Sequence, residues 1–448
     1  MVSVLKLMFT VGLVVALTLI IIELIVSKIK GKRVYTLADT LTNLSSGMIE
    51  RSFDVFCAVG FFFLFNYIYQ MVPWKIPANP LTWFIALLVT DFLAYWHHRL
   101  SHEINFLWAA HIVHHQSEEL NVTTVFRVSF FAVLNRALFF VWMPLMGFDP
   151  ITIATTIMFL GIYQFLTHYR FVGKLGFLEK FMTTPSHHRV HHSRNEKYLD
   201  KNYGHIFIFW DKLLGTFKEE EEEPDYGITS GFESSNPFKA QFSYWKNLFT
   251  RAKRTKSVKN KVKVFLKDPT YTPEDSPHLP PEYKTDENGN RIQYRNLFSL
   301  EESAYILLSV LTTFSFFFLL TKLIVPKPEG ADISIEQATK YVEEAYEFLL
   351  QPFVLIFVGL ILLSIYIHGL YMDRHKYAFI FELVRYASIV LVVPMVLRHM
   401  TEMDKFNLTM TDVESITNGI FAFVITMFLW LVKIKVLNKS EVKKHKIA

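Results

Sequence analysis

Nine apolar segments run along the chain, and each is about as long as a helix that crosses a lipid bilayer. The bilayer core requires roughly 20 apolar residues in helical form, and within lipid a single segment satisfies its backbone hydrogen bonds only as a helix. With 51% hydrophobic residues and 43 phenylalanines in 448 residues, the composition is that of a membrane protein. The predicted spans are 5–27, 53–72, 81–97, 128–147, 150–167, 303–325, 348–371, 377–397 and 415–436. We therefore expect an all-α, multi-pass integral membrane protein with about nine transmembrane helices.

The distribution of basic residues predicts how these spans are oriented. Four basic residues follow the first span within residues 28–33, whereas the next loop has only Lys75. Because loops rich in lysine and arginine stay in the cytosol, we expect the loop after the first span to be cytosolic. Counting spans forward places residues 97–115 and 168–300 on the cytosolic side and the acidic loop 326–347 outside. No small-residue cleavage site follows the first span, so it is interpreted as a retained anchor.

Histidines are concentrated in the first half of the chain, where eleven of the 17 lie between His97 and His192. Eight of them form three boxes with helical spacing: His98 and His102; His111, His114 and His115; and His188, His191 and His192. Residues three and four apart share a helix face, so each box can direct its imidazoles into one volume. Interfacial histidines on a basic surface are the alternative, but eight imidazoles packed without an ion would leave many nitrogens without partners. The boxes therefore predict a polynuclear metal site, and we expect the third box to lie in a cytosolic helical cap on the membrane helices.

The choice of metal is narrowed by residue type. Imidazole ligands suit iron, zinc, copper and nickel, and this many histidines exceeds the needs of one tetrahedral zinc ion, so two ions fit better. A zinc protease is disfavoured because no second histidine completes a HExxH motif after His102 and Glu103. The single Cys57 excludes an intrachain disulfide and a thiolate zinc site.

Other interpretations of the sequence concern metal transport, nucleic-acid binding and contact with lipid or solvent rather than catalysis. A histidine-lined metal transporter would place ligands along a path near the bilayer midplane, whereas these boxes are expected at one face. The net charge of +5 can be explained without binding to nucleic acid. The basic stretch 251–263 is expected either to lie against anionic lipid or to be a solvated loop. The acidic run 218–224 is expected to be a solvated linker.

The order and spacing of the boxes resemble those of the fatty acid hydroxylase and sterol desaturase superfamily of membrane-bound di-iron oxygenases. Within it, HRLSHEINFLWAAHIVHHQSEELN and TPSHHRVHHSRNEKYLDKNYGHIFIFWDKLLGTF are similar to the alkylglycerol monooxygenase branch. This resemblance implies two iron ions, dioxygen as co-substrate and a membrane lipid as substrate. The branch further implies tetrahydrobiopterin as reductant and hydroxylation of the alkyl carbon at the ether bond, which releases a fatty aldehyde and a glycerol derivative. Hydroxylation or desaturation of a sterol, fatty acyl chain or amino-lipid uses the same boxes and stays open, as does the electron donor.

The resemblance also implies a ligand set. It comprises the eight box histidines and one more at the end of the fifth span: His98, His102, His111, His114, His115, His168, His188, His191 and His192. His187 is expected to lie beside the ligands, and His97, which points about 100° away from His98 on a helix, is expected to be structural. His205 stands where glycine is more usual in the family, and we assign it no function.

Three further residues are candidates for supporting catalysis. Metal-bound imidazoles usually donate their other N–H to a carboxylate or carbonyl, and Asp91 or Glu103 could accept it. Glu103 could instead hold the pterin or position the substrate, and Tyr203 in the DKNYG segment is a further candidate. No sequence feature indicates which residues bind the pterin.

These features divide the chain into four regions. Residues 1–72 are expected to be an anchor, 73–220 the histidine-box domain, 221–301 a cytosolic linker segment and 302–448 a four-helix membrane region. In this last region Glu382 and Arg385 fall within an apolar span, where charged residues are either functional or paired with each other.

Overall fold

The computed structural model describes residues 2–275, 283–287, 291–324, 335–402 and 409–444, and in them the regular structure is helical. Their β pairing is confined to isolated bridges. The α-helices are α1 (Val2–Ile29), α2 (Leu37–Met71), α3 (Pro80–Glu103), α4 (Asn105–His115), α5 (Phe131–Phe140), α6 (Trp142–Leu145), α7 (Pro150–Thr167), α8 (Pro185–His191), α9 (Phe209–Leu214), α10 (Pro237–Arg254), α11 (Val258–Leu266), α12 (Leu300–Ile324), α13 (Ile335–Leu349), α14 (Pro352–Met372), α15 (Ala378–Glu402) and α16 (Met410–Lys444). The predicted all-α fold is confirmed for this part of the chain.

Six helices in the described ranges are long and apolar enough to cross a membrane. They are Thr10–Ile29, Pro150–Thr167, Leu300–Thr321, Pro352–Met372, Ala378–Thr401 and Met410–Lys435. These coincide with six of the nine predicted spans, so a multi-pass membrane protein is supported while the count of nine is not confirmed. The first part of the predicted external loop 326–347 lies outside the described residues, and its second part belongs to α13.

The other three predicted spans form helices of different character. Residues 53–72 and 81–97 lie within α2 and α3, whereas 128–147 forms the short helices α5 and α6. The break between these two follows from Pro144, which has no N–H to donate to the carbonyl of Phe140, where α5 ends.

The chain divides into two compact units. Among the described residues, the first comprises 2–234, 239–275, 283–287, 291–294 and 335–339, and the second comprises 235–238, 295–324, 340–402 and 409–444. All three histidine boxes lie in the first unit.

The core of the first unit lies between α3, α6 and α7. Apolar side chains from these helices, including Leu87, Met143 and Ile153, form one buried cluster. The hydroxyls of Thr90 and Thr156 hydrogen-bond at 2.9 Å across it. Because α7 is long and apolar enough to cross a membrane, where lipid tails are as apolar as these side chains, close packing and such hydrogen bonds hold the helices together. This packing fixes α3, whose last turns carry the first histidine box, against α7, which ends just before His168.

A buried carboxylate joins α1 to this unit. The side chain of Glu23 is fully buried and accepts hydrogen bonds from the Tyr35 hydroxyl and from the backbone N–H groups of Val122 and Arg170. These three donors compensate the carboxylate for its lost hydration, which otherwise makes burial of a charge costly. The anchor helix is thereby fixed two residues away from His168.

Helices α10 and α11 pack against α4, which carries the second histidine box. Leu248, Ala252 and Val264 form a buried cluster with Ala109 of α4. At the start of α4, Asn105 donates its side-chain N–H to the carbonyl of Val264 at 2.7 Å, and its backbone N–H to Lys267. These helices lie inside the segment predicted as a linker, so this part of it is folded onto the histidine-box domain.

The second unit contains α12, most of α13, α14, α15 and α16. Within it, the guanidinium Nε of Arg385 donates to the carboxylate of Glu382 at 2.7 Å, and both side chains are almost fully buried. The two hydroxyls of Tyr305 and Tyr386 lie 2.6 Å apart, also buried. Of the two readings of Glu382 and Arg385, the structure shows the paired one.

Candidate metal centre

Nine imidazoles of the first unit converge into two groups. The first group is His98, His102, His111, His115 and His191, and the second is His114, His168, His188 and His192. Within each group, one nitrogen of each ring lies within 4.8 Å of the corresponding nitrogens of the others. The structure therefore brings together all nine histidines expected to be ligands, and arranges them as two neighbouring sites.

Helix geometry explains which histidine joins which group. Residues four apart differ by only about 40° around a helix, whereas a residue three along differs by about 60° in the opposite sense. Accordingly, His111 and His115 face the first group while His114 faces the second. Likewise His188 and His192 face the second group while His191 faces the first. Each HxxHH box thus contributes to both sites.

The spacing of the ring nitrogens matches that of ligands to a common ion. The Nε2 atom of His188 lies 3.0 Å from that of His168 and 3.0 Å from that of His192. In the first group, the Nε2 atom of His111 lies 3.1 Å from those of His98 and His115. Nitrogens at right angles around an ion, each about 2.1 Å from it, are separated by about 3.0 Å. Both groups therefore have the donor atoms and the separations of a metal site.

Burial favours the neutral form of the imidazoles of the third box. Burial, followed by the influence of neighbouring imidazoles, lowers the pKa of His188, His191 and His192 well below the ordinary value for histidine. Neutral rings are the form in which histidine binds a metal, since the lone pair is then free.

Contacts near both ends of the short helix α8 hold the third box in place. Pro185 occupies its first turn, and the Nδ1 atom of His187 accepts a hydrogen bond from the backbone N–H of Thr184. Farther along, Arg189 makes two hydrogen bonds of 2.7 and 2.6 Å to the carboxylate of Glu220. His187 therefore acts as a cap of the helix and belongs to neither imidazole group.

The segment 200–203 orients three imidazoles of the first group. His191 donates from Nδ1 to the carbonyl of Lys201 at 2.9 Å, and His98 donates from Nδ1 to the carbonyl of Tyr203 at 2.8 Å. The carboxylate of Asp200 lies 3.4 Å from Nδ1 of His102. With Nδ1 engaged in this way, each ring presents Nε2 to the centre of its group.

This segment has an unusual backbone. Asp200 and Asn202 have φ angles of 58° and 57°, in the left-handed region that aspartate and asparagine enter more readily than most residues. The buried side chain of Asn202 donates to the carbonyls of His187 and Lys218. The sequence points to Tyr203 in the DKNYG segment but not to the orienting role of its backbone, because positive φ angles and carbonyl directions leave no sequence periodicity.

We expect removal of the Asp200 carboxylate to weaken metal binding. Loss of a group that orients a metal-bound imidazole typically reduces metal affinity about 10 to 100-fold. Asp200→Gly removes the carboxylate without straining the positive φ angle, whereas Asp200→Asn keeps an acceptor and should restore part of the affinity. Competition between the protein and a chelator for Fe²⁺ measures the effect. Lys201→Ala is the matched control, because Lys201 contributes only its backbone carbonyl; an equal loss in this variant would refute the assignment.

The structure corrects the predicted role of Asp91 as partner of a box histidine. Its fully buried carboxylate accepts hydrogen bonds from the backbone N–H groups of Ile206 and Phe207 and from the indole N–H of Trp210. Seven residues correspond to about 10 Å along a helix, which places Asp91 two turns below His98. Asp91 therefore fixes the chain just after Tyr203.

Glu103 and Tyr203 lie at the edge of the first group. Glu103 accepts a hydrogen bond of 2.8 Å from Arg99, and its side chain is 41% exposed, so it is accessible from solvent. Tyr203 is fully buried, with its ring centroid 5.3 Å from that of His102, and burial raises the pKa of its hydroxyl. Its hydroxyl thus stays protonated.

Two other histidines lie near the centre without joining either group. The ring of His97 packs against Phe139, at a centroid distance of 5.1 Å. The ring of His205 lies 5.0 Å from that of His98, and Asp91 fixes the backbone immediately after it.

The acidic stretch 218–224 is largely exposed, as expected of a solvated segment: four of its five glutamate side chains are 48–69% exposed, and they are also ion-paired. Each of its glutamates faces a basic side chain: Lys174, Arg189, Lys197, Lys218, Lys32 and Arg170 are the partners. Exposed ion pairs contribute little individually, but Arg189–Glu220 is mostly buried and makes two hydrogen bonds. The pair between Arg189 and Glu220 therefore fixes the third box to the acidic stretch.

Comparison with known proteins agrees with this geometry. Residues 83–216 match the fatty acid hydroxylase family model. The chain is 38% identical to human alkylglycerol monooxygenase over 264 residues, which is 57% of this chain and 58% of the human protein. It is 36% identical to the Xenopus tropicalis alkylglycerol monooxygenase over 261 residues, 57% of each chain.

A bacterial lipid hydroxylase is also related. Over 190 residues the chain is 32% identical to the ornithine lipid hydroxylase of Rhizobium tropici, covering 41% of this chain and 54% of that protein. The chain spans only a little over half the length of these curated relatives. No solved structure matches the chain. Residues 83–216, which contain both imidazole groups, therefore match the fatty acid hydroxylase family model, in a chain similar over 57% of its length to alkylglycerol monooxygenases.

Proposed function

We propose that the protein is a membrane-bound di-iron monooxygenase that hydroxylates alkylglycerols at the carbon attached to the ether oxygen. The observation that carries this proposal is the convergence of nine imidazoles into two groups within a domain similar to that of alkylglycerol monooxygenases. The ligand atoms meet at two adjacent points instead of following a path through the membrane, which argues against a metal transporter.

The residues present fit two iron ions. Neutral imidazoles suit Fe²⁺, and the observed Nε2 separations leave room for an ion in each group. His98, His102, His111, His115 and His191 would hold one ion, and His114, His168, His188 and His192 the other. When bound there, the two ions supply the reductive activation of dioxygen. The carboxylate of Asp200 and the carbonyls of Lys201 and Tyr203 would hold the rings of the first site in the orientation that points Nε2 at the ion.

The overall reaction balances with dioxygen and a two-electron reductant. One oxygen atom enters the C–H bond beside the ether oxygen, and the other leaves as water with two protons and two electrons from the reductant. The resulting hemiacetal breaks its C–O bond to give a fatty aldehyde and a glycerol derivative. We propose tetrahydrobiopterin as the reductant. The accessible carboxylate of Glu103, with Arg99, is our proposed contact for the pterin or for the substrate's polar end, and the protonated Tyr203 hydroxyl lies beside it.

The substrate would reach the centre from within the membrane. We propose that the imidazole groups face the cytosol, in keeping with the basic residues that follow α1. A lipid whose polar end stays at the interface would then bring the first carbons of its alkyl chain to the metals. We retain the division into an anchor (1–72), a histidine-box domain (73–220) and a four-helix region (302–448) as part of this proposal.

An amino-lipid is the second candidate substrate, supported by the similarity to an ornithine lipid hydroxylase. That reaction would use the same metal centre and the same balance of oxygen and electrons. It differs in that a hydroxylated lipid would stay intact, whereas attack beside an ether oxygen breaks the molecule.

Turnover of a 1-O-alkylglycerol by the purified, iron-loaded protein tests the proposal. We expect fatty aldehyde to form with tetrahydrobiopterin and not without it. An ornithine lipid should be assayed in parallel, with a hydroxylated intact product as its readout. Absence of aldehyde from a protein with two bound iron ions would refute the alkylglycerol assignment, and hydroxylated ornithine lipid would then support the second candidate.

A further inference from the structure

The helix pair α10–α11 carries an unusually one-sided charge. Between residues 239 and 267 there are ten lysines and arginines and no aspartate or glutamate. Apart from Lys239, none of the ten forms an ion pair with an acidic side chain of the described residues. So dense a positive charge produces a strong positive potential, which attracts anionic surfaces.

The outer face of α10 alternates lysine with phenylalanine. Lys239, Phe242, Lys246, Phe249 and Lys253 follow one another at spacings of three and four, and all are exposed. Phe242 is 45% exposed and Phe249 56% exposed. Large apolar rings in a row on the same face as lysines are typical of helices that lie in a membrane interface.

Helix α11 continues this surface with an aliphatic row. Val258, Val262 and Leu266, spaced by four, are all more than half exposed. Lysines at 259, 261 and 263 lie on the flanks of this row. The rings of Phe249 and Phe265 lie 5.6 Å apart, so the apolar surfaces of the two helices join. Together these side chains form one surface, which we call the lysine–apolar surface.

The exposure of this surface is not a result of loose packing. The opposite sides of α10 and α11 are buried on α4 through Leu248, Ala252 and Val264. The hydroxyl of Tyr244 also donates to the side chain of Asn105 at 2.6 Å. The helices are thus fixed with their apolar rows outward, and contiguous exposed apolar side chains of this kind usually mark a binding surface.

We propose that the lysine–apolar surface lies on the anionic face of a lipid bilayer. The phenylalanines, valines and leucine enter the boundary between headgroups and acyl chains, while the lysines contact lipid phosphates and carboxylates. Charge complementarity favours this occupant over a second copy of the chain, whose equivalent surface would carry the same positive charge. Because the inner side of the helix pair holds Asn105 and Ala109 of α4, binding to the bilayer also fixes the helix that carries His111, His114 and His115.

Nitroxide labels on the full-length protein in lipid nanodiscs test this proposal. In a Cys57→Ser background, labels are attached at Phe249→Cys and Val262→Cys, with Glu196→Cys as a solvent-exposed control. Collision with dissolved oxygen reports contact with lipid, and collision with a water-soluble nickel chelate reports contact with water. Nanodiscs of phosphatidylcholine alone are compared with nanodiscs that also contain phosphatidylserine. Iron bound per chain checks that each variant is folded.

We expect the labels at 249 and 262 to be accessible to oxygen and shielded from nickel in the anionic nanodiscs, while the control label remains in water. The variant Lys246→Gln, Lys253→Gln, Lys259→Gln and Lys263→Gln should lose this protection, since each lysine near an anionic surface changes the binding equilibrium roughly fivefold. Water-exposed labels in both lipids would overturn the proposal. So would protection that is unchanged in neutral nanodiscs, or spin–spin coupling between labels on two copies.

Discussion

Replacing His188 by alanine should abolish turnover and remove one of the two proposed iron ions. His188 is the central ring of its group, with Nε2 3.0 Å from the same atoms of His168 and His192. Loss of residues that merely orient a ligand already costs about 10 to 100-fold, so loss of the ligand itself should exceed about 100-fold. Iron per chain, measured by atomic absorption, and aldehyde release by the same preparation provide the two readouts.

His187→Ala is the matched control, because it removes the neighbouring imidazole of the same box. His187 caps α8 and faces neither imidazole group, so this variant should keep both ions and lose at most a modest fraction of its activity. If His188→Ala retained two ions and normal turnover, the ligand assignment in the second group would be incorrect. If His187→Ala were equally inactive and metal-depleted, capping of α8 would be as important as ligation.

Replacing Glu382 by leucine should destabilise the second unit by about 3–5 kcal/mol. The change leaves the guanidinium of Arg385 buried without the carboxylate to which it donates at 2.7 Å. Breaking a buried ion pair from one side costs this much because the remaining charge has lost both water and partner. Unfolding of the purified protein in mixed detergent micelles, followed by tryptophan fluorescence, measures the change in free energy.

The double variant Glu382→Leu, Arg385→Met separates this cause from a general loss of packing. With both charges replaced by apolar side chains, most of the stability should return, since buried pairs are often no better than apolar residues of similar size. Val384→Ala, at an exposed position of the same helix, should change the stability by less than about 1 kcal/mol. A double variant as unstable as the single one would show that the pair is not the source of the effect.

Features that depend on local spacing could be predicted from the sequence. The 3.6-residue period places the histidines of each box on neighbouring helix faces, and the structure contains all nine in its two groups. Six of the predicted spans were recognised because length and apolar composition alone decide whether a helix can cross a bilayer. Residues 128–147 form two short helices because Pro144 interrupts the helix, and part of the segment 221–301 is helical because amphipathic, lysine-rich helices resemble a solvated loop in composition.

What the sequence by itself determined is that this chain forms membrane helices bearing three histidine boxes. Only the tertiary structure decided that His115 and His191, 76 positions apart, share one group while His114 joins His168 and His188 in the other. It also decided that Asp91 binds the chain after Tyr203, and that Asp200 and two backbone carbonyls orient the rings. The physical reason is that these contacts depend on the packing of helices distant in sequence and on positive φ angles, neither of which follows from hydrophobic periodicity.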